Sequence, residues 1–151
     1  MINKQVQDLV TKYYAALHGA SEDILAAFAT ARVDFIDDDL EWNEPFGTIK
    51  GAQQVADGLL AAHTQMAREL AFVADEVFPA RDDTVCVAGH SEATFHSGVQ
   101  MNGRFVHIWE FAGDRAVRMT VYNEDGAMQR ALGLDEDASM DEVMAAMMAA
   151  G

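Results

Sequence analysis

The chain has 151 residues, and its 10 basic and 25 acidic residues give a formal net charge of −15 at pH 7. This length fits a single domain by the usual range of roughly 100–200 residues. The negative charge repels phosphate backbones and anionic lipids, so nucleic acid and membrane surfaces are not expected partners. The partner we expect is a small, neutral, apolar molecule.

The location expected from the sequence is cytoplasmic. The N-terminal segment lacks the apolar core of a signal peptide. No apolar run approaches the ~20 residues that span a bilayer. The single cysteine, Cys86, lies in the apolar run TVCVAG, which predicts a buried and inert thiol.

Helices are predicted in the first half of the chain. The first is indicated by apolar residues at spacings of three or four: Ile2, Val6, Leu9, Tyr13 and Leu17. Ser21 resembles an N-cap and begins a short second helix, because acidic residues follow it in the first turn. Helical spacing returns over residues 52–68.

Strands dominate the second half. One acid-rich strand is predicted over residues 33–42, and four more over 70–79, 84–96, 102–111 and 115–123. The turn-forming residues between the last four indicate antiparallel neighbours. Helices followed by such strands predict an α+β fold, in which a curved antiparallel sheet packs on the N-terminal helices and leaves an apolar interior.

The C-terminal tail has a pattern of its own. Ser139 and Glu142 form a capping box before the run VMAAMMAA, which predicts an extra amphipathic helix. We therefore divide the chain into a domain at 1–134 and a helical tail at 135–151. Three arrangements of the tail are compatible with this pattern: it packs on its own domain, it covers a pocket, or it contacts a partner subunit.

Three stretches resemble the NTF2-like superfamily, and within it the SnoaL-like and ketosteroid-isomerase-like proteins. They are VTKYYAALHGASEDILAAF, LEWNEPFGTIKGAQQV and GRFVHIWEFAGDRAVRMTVYNED. The resemblance implies a cone-shaped fold and a homodimer that pairs sheet to sheet. Because this fold carries isomerases, cyclases, dehydratases and non-catalytic binding modules, function has to be argued from the site.

The resemblance implies three catalytic positions. The base of the ketosteroid isomerases is an aspartate before the proline of a turn, and WNEPFG has Glu44 there. The tyrosine of the first helix corresponds to Tyr13, and the second oxyanion donor corresponds to His107. Both Glu44 and His107 replace an aspartate, so the sequence departs from a steroid isomerase at two positions.

The residues themselves also indicate a pocket. Strand alternation groups His107 with Phe105, Trp109 and Phe111 on one face. We expect ligand contacts from Trp42, Asn43, Phe46, Trp109, Met119 and Asn123. Ordinary core packing is the alternative for the aromatic residues, and a solvated turn is the alternative for Glu44. A metal site built on His90, Glu92 and His107 is not favoured by their spacing, and we expect no metal.

The function expected from these features is cofactor-free acid–base catalysis. Glu44 would transfer a proton while Tyr13 and His107 polarise the carbonyl oxygen of an apolar compound, as in an isomerase, cyclase or dehydratase. A non-catalytic ligand-binding module is one alternative, and a dimeric scaffold with a filled interior is another.

Overall fold

A computed structural model describes residues 4–45, 47–60 and 67–150 of the protein. The helices are α1 (Lys4–Ala16), α2 (Ser21–Asp34), α3 (Ala52–Gln54, continued by a π-helical turn at Val55–Leu60), α4 (Ala127–Ala131) and α5 (Met140–Ala150). Within these residues no helix is long and apolar enough to cross a bilayer.

Seven strands form one curved sheet. They are β1 (His18–Gly19), β2 (Ile36–Glu44), β3 (Gly47–Lys50), β4 (Ala67–Arg81), β5 (Thr84–Phe95), β6 (Gln100–Ala112) and β7 (Arg115–Asn123). Their order across the sheet is β1-β4-β5-β6-β7-β2-β3. Neighbours are antiparallel except β2 and β7, which run parallel. The predicted α+β fold is confirmed, and the sheet is mixed at this one pair.

The core lies between the inner face of the sheet and the helices. Alternate residues of each strand point inward, and the helices bury their apolar stripes against them. Aromatic side chains supply much of this core: Tyr13, Tyr14, Phe28, Phe35, Trp42, Phe105, Trp109 and Phe111. Cys86 is buried on the opposite face of the sheet, as predicted, and burial raises the pKa of its thiol.

The end of α2 shows how the helix passes into the sheet. The Arg115 guanidinium donates hydrogen bonds to the carbonyl oxygens of Arg32, Val33 and Ile36, at 2.9, 3.1 and 2.8 Å. The carbonyls of Arg32 and Val33 are ones that the end of α2 leaves without intrahelical donors, and Ile36 is the first residue of β2. Arg115 therefore fixes the point where α2 ends and β2 begins beside β7.

Several predicted boundaries were wrong. Val33 and Asp34 were predicted as strand but belong to α2, because Arg115 supports the last helical turn. The helix predicted to reach residue 68 ends earlier, since β4 begins at Ala67. The short strands β1 and β3 and the helix α4 were not predicted. β1 is held by the distant strand β4, and β3 is held by a tight hairpin with β2.

The C-terminal helix agrees with its predicted cap. The Glu142 N–H donates to Ser139 Oγ at 3.2 Å, and the Val143 N–H donates to the Ser139 carbonyl at 3.0 Å. Val143 is fully buried, whereas Met144 is 40% exposed. The division of the chain at residue 135 stays a prediction.

Candidate functional site

His107 lies at the centre of the inner face of the sheet. It is on β6, opposite Val87 of β5 and Val121 of β7. It is 6% exposed, and its strand neighbours Phe105 and Trp109 are buried on the same side. The face predicted by strand alternation is therefore confirmed.

The Tyr14 hydroxyl of the first helix is hydrogen-bonded to both His107 and Trp109. The Tyr14 hydroxyl lies 2.5 Å from Nδ1 of His107. The Trp109 indole N–H donates to the same hydroxyl at 2.9 Å. Because all three groups are buried, the hydrogen bonds form in surroundings of low polarity, where leaving one of these groups unpaired would be costly.

Burial controls the protonation of His107 and Tyr14. Desolvation lowers the pKa of His107 to about 3, so the imidazole is neutral at physiological pH. Burial also raises the pKa of Tyr14, reinforced by the neighbouring Tyr13 and opposed by the Trp109 hydrogen bond. His107 therefore acts as a neutral hydrogen-bonding group rather than as a cation.

The second ring nitrogen of His107, Nε2, makes no hydrogen bond to the described part of the chain. A buried, neutral ring nitrogen of this kind can hydrogen-bond to a ligand.

Tyr13 was the tyrosine predicted for the site, and the structure pairs His107 with Tyr14 instead. The Tyr13 ring packs edge-on against Tyr14, Phe35 and Trp109 at centroid distances of 5.2, 5.9 and 5.9 Å. Its hydroxyl makes no hydrogen bond to the described residues, and burial raises its pKa. A ligand contact of Tyr13 stays a prediction.

Glu44 is half-buried at the end of β2. Its Oε1 accepts a hydrogen bond from the Trp42 indole N–H at 3.1 Å. The Trp42 ring is buried and meets Trp109 at 6.1 Å with the planes perpendicular. The carboxylate is therefore oriented by a residue that belongs to the same aromatic core as the trio of His107, Tyr14 and Trp109.

The sheet register relates Glu44 to His107. Asn43 of β2 pairs with Thr120 of β7, so Glu44 lies beside Val121, which pairs with His107. With two inter-strand spacings of about 4.8 Å each, the Cα atoms are about 10 Å apart. Glu44 and His107 thus share a face of the sheet with a single strand between them.

The other predicted ligand contacts are divided among three environments. Met119 is fully buried opposite Trp109. Asn43 bonds to Glu41 at 3.3 Å and to Thr48 at 2.8 Å, in a polar network at the edge of the sheet. Asn123 is exposed at the end of β7. Phe46 lies outside the described residues.

His90 does not belong to this site. It pairs with Arg104 on the outer face of the sheet and bonds to Asp75 at 2.9 Å, and its other nitrogen lies 3.5 Å from Glu92. Asp75 raises the pKa of His90. No group of three or more potential metal ligands occurs among the residues that the structure describes.

Cavities open on the described part of the fold away from the predicted catalytic residues. One of about 490 Å³ lies between α1 and β4, and Tyr14 and Phe72 form part of its wall. Another, of about 380 Å³, lies beside Glu69 and Glu92. Neither is lined by Glu44, Tyr13 or His107. The first cavity is nevertheless adjacent to His107, because the Phe72 ring contacts the imidazole at a centroid distance of 6.3 Å.

The sequence from residue 10 to residue 119 matches the family model of the SnoaL-like domain. The chain belongs to the SnoaL-like family. The matched segment contains Tyr14, Glu44 and His107, three polar residues at the inner face. No curated protein matches this chain.

Solved structures show the same fold at low sequence identity. An NTF2-like protein of unknown function from Burkholderia pseudomallei is 21% identical, with a TM-score of 0.69, and the match covers 85% of this chain and 98% of that one. TerC, co-crystallised with polyporic acid, is 20% identical, with a TM-score of 0.68 and coverage of 85% and 98%. A phenazine biosynthesis-related protein from Pseudomonas aeruginosa is 16% identical, with a TM-score of 0.70 and coverage of 87% of each chain.

Proposed function

We propose that this SnoaL-like protein binds a small, neutral, largely apolar carbonyl compound at the inner face of its sheet and catalyses proton transfer on it without a cofactor. Glu44 is the base. His107 donates a hydrogen bond to the carbonyl oxygen. The reaction is an isomerisation, a cyclisation or a dehydration that begins with removal of a proton next to the carbonyl.

The observation that carries the proposal is the state of His107. Its imidazole is neutral and buried, and its Nε2 has no partner in the described chain. A neutral donor in apolar surroundings suits an uncharged oxygen that gains negative charge during a reaction. Such a donor needs no reorganisation when that charge develops.

Glu44 supplies the second element of the proposal. The Trp42 indole N–H holds its carboxylate on the side of the sheet that carries His107. In the proposed step the C–H bond next to the carbonyl breaks, and the proton passes to Glu44. The electron pair moves onto the oxygen as an enolate, which accepts the hydrogen bond from His107. Returning the proton to another carbon completes an isomerisation.

The names of similar structures support a small organic ligand. TerC was co-crystallised with polyporic acid, and the Pseudomonas protein is named for phenazine biosynthesis. The net charge of −15 also favours a ligand without negative charge.

Deuterium exchange tests the chemistry without knowledge of the natural substrate. The protein is incubated in D2O with α-tetralone, a neutral aryl ketone, and loss of the α-proton signal is followed by NMR. We expect exchange above the buffer rate. Glu44→Gln should reduce it by about 10²–10⁴-fold, the usual contribution of a positioned base.

Glu41→Gln is the matched control, because Glu41 is on the same strand but bonds to Arg118 at the outer face, at 2.8 Å. It should leave the exchange rate unchanged. Equal rates for the native protein and Glu44→Gln would contradict the proposed base.

A non-catalytic scaffold is the second candidate, because Phe105, Trp109 and Met119 fill the interior near His107. In that case tetralone would neither bind nor exchange.

Both candidates fit a homodimer, which we propose forms through the outer face of the sheet. That face exposes apolar residues, with Phe78 at 42%, Val106 at 39% and Tyr122 at 57%. Patches of this kind are covered in many assemblies.

A further inference from the structure

We propose that Tyr14 is a positioning residue that holds His107 in the tautomer with its proton on Nε2. The inference rests on the proposed function in one respect: it explains why His107 presents a donor to a carbonyl oxygen. The geometry that supports it is independent of any ligand.

A count of donors and acceptors leads to this tautomer. The Trp109 indole N–H can only donate, so the Tyr14 oxygen accepts from it at 2.9 Å. The Tyr14 hydroxyl then has one proton left to donate. The acceptor within reach is Nδ1 of His107, at 2.5 Å. Nδ1 therefore carries no proton, and in a neutral imidazole the proton is on Nε2.

The opposite tautomer leaves a buried donor unpaired. If Nδ1 carried the proton, the Tyr14 oxygen would accept from both His107 and Trp109. Among the described residues the Tyr14 hydroxyl bonds to His107 and Trp109 alone, so its proton would lose its protein partner. Leaving a buried donor unpaired disfavours that tautomer by about fivefold to 150-fold.

The consequence is selectivity for the ligand. An imidazole with the proton on Nε2 can donate to a carbonyl or hydroxyl oxygen but cannot accept from an ammonium group at that nitrogen. Tyr14 would therefore select ligands that present an acceptor oxygen to His107. Trp109 contributes indirectly to this selectivity, because its N–H donates to the Tyr14 oxygen and leaves the Tyr14 proton for His107.

Nitrogen NMR of the ligand-free protein tests the tautomer directly. The protein is labelled with ¹⁵N-histidine, and the His107 signals among the five histidines are assigned by their loss in His107→Phe. At pH 7 we expect a protonated Nε2 and an unprotonated Nδ1, with a correlation from the Tyr14 hydroxyl proton to Nδ1. A protonated Nδ1 or a doubly protonated ring would overturn the proposal.

Two tyrosine variants separate positioning from general packing. Tyr14→Phe removes the proton donated to Nδ1, and the population of the Nδ1–H tautomer should rise about tenfold relative to Nε2–H. Tyr13→Phe removes a neighbouring buried hydroxyl that does not bond to His107, and should leave the ratio unchanged. An unchanged ratio in folded Tyr14→Phe would overturn the role of Tyr14.

The native spectrum keeps the test decisive if Tyr14→Phe does not fold, since absence of the hydroxyl correlation to Nδ1 would by itself reject the hydrogen bond. The result of the tautomer test can also be told apart from failure of the proposed catalysis. A fixed Nε2–H tautomer with no tetralone exchange would retain the positioning role and reject the reaction.

Discussion

Acid should destabilise the fold through His107, and replacing this residue should remove that part of the pH dependence. Burial lowers the pKa of His107 from 6.5 to about 3. Between these values the unfolded chain binds a proton at this position and the native protein does not. Stability from the neutral imidazole is therefore complete above pH 6.5 and is lost as the pH falls toward 3.

The expected magnitude follows from this difference in pKa. Each pH unit between the two values is worth about 1.4 kcal/mol, so the full loss by pH 3 is about 5 kcal/mol. Between pH 7 and pH 5 the contribution of His107 amounts to about 2 kcal/mol. This is a large share of the stability of a domain of this size.

Urea unfolding at pH 7 and pH 5 measures the effect, with one protein concentration throughout. The native protein is compared with His107→Phe, which keeps an aromatic ring and cannot titrate. We expect the loss between the two pH values to be about 2 kcal/mol smaller in the variant.

His90→Gln is a control of opposite sign. The pKa of His90 is raised by Asp75, so His90 stabilises the native protein at low pH and loses this effect as the pH rises through its folded pKa. Its replacement should make the loss toward pH 5 steeper. If the native protein and His107→Phe lose equal stability, the imidazole is not held neutral by folding, and the reasoning fails.

Three further predictions concern the fold and assembly. Gly89→Ala should cost about 1–3 kcal/mol in urea unfolding, because the new Cβ would collide with a β4 backbone carbonyl; a change below about 0.5 kcal/mol would reject the close approach. Deletion of 135–151 should leave a cooperatively folded domain by circular dichroism, weakened by the loss of buried Val143; absence of a thermal transition would make the tail part of the core. Sedimentation at micromolar concentration should show a dimer that Val106→Asp dissociates, while Val33→Asp, 79% exposed on α2, should not; a monomeric native protein would contradict the dimer.

The position of His107 could be predicted from sequence because a strand has an exact period of two. Once β6 was recognised, His107 had to share a face with Phe105 and Trp109. The choice between Tyr13 and Tyr14 could not be made in the same way. The buried stripe of α1 contains both residues, and contact with β6 decides which hydroxyl reaches the imidazole.

The relation between Glu44 and His107 depends on pairing across the whole chain. Trp42 of β2 lies beside Met119 of β7, and no local pattern shows that these distant strands run parallel. The end of α2 was mispredicted for a similar reason, since the side chain that supports it, Arg115, comes about 80 residues later. Local periodicity therefore predicts the elements better than their junctions.

A crystal structure with α-tetralone bound tests the central claim most directly. We predict the ketone oxygen at about 2.7–3.2 Å from Nε2 of His107, with the Glu44 carboxylate facing the carbon next to the carbonyl. Val121 would lie beneath the ligand, between these two groups. A ligand found only in the cavity between α1 and β4, or an inner face that remains filled by Phe105 and Trp109, would contradict the account.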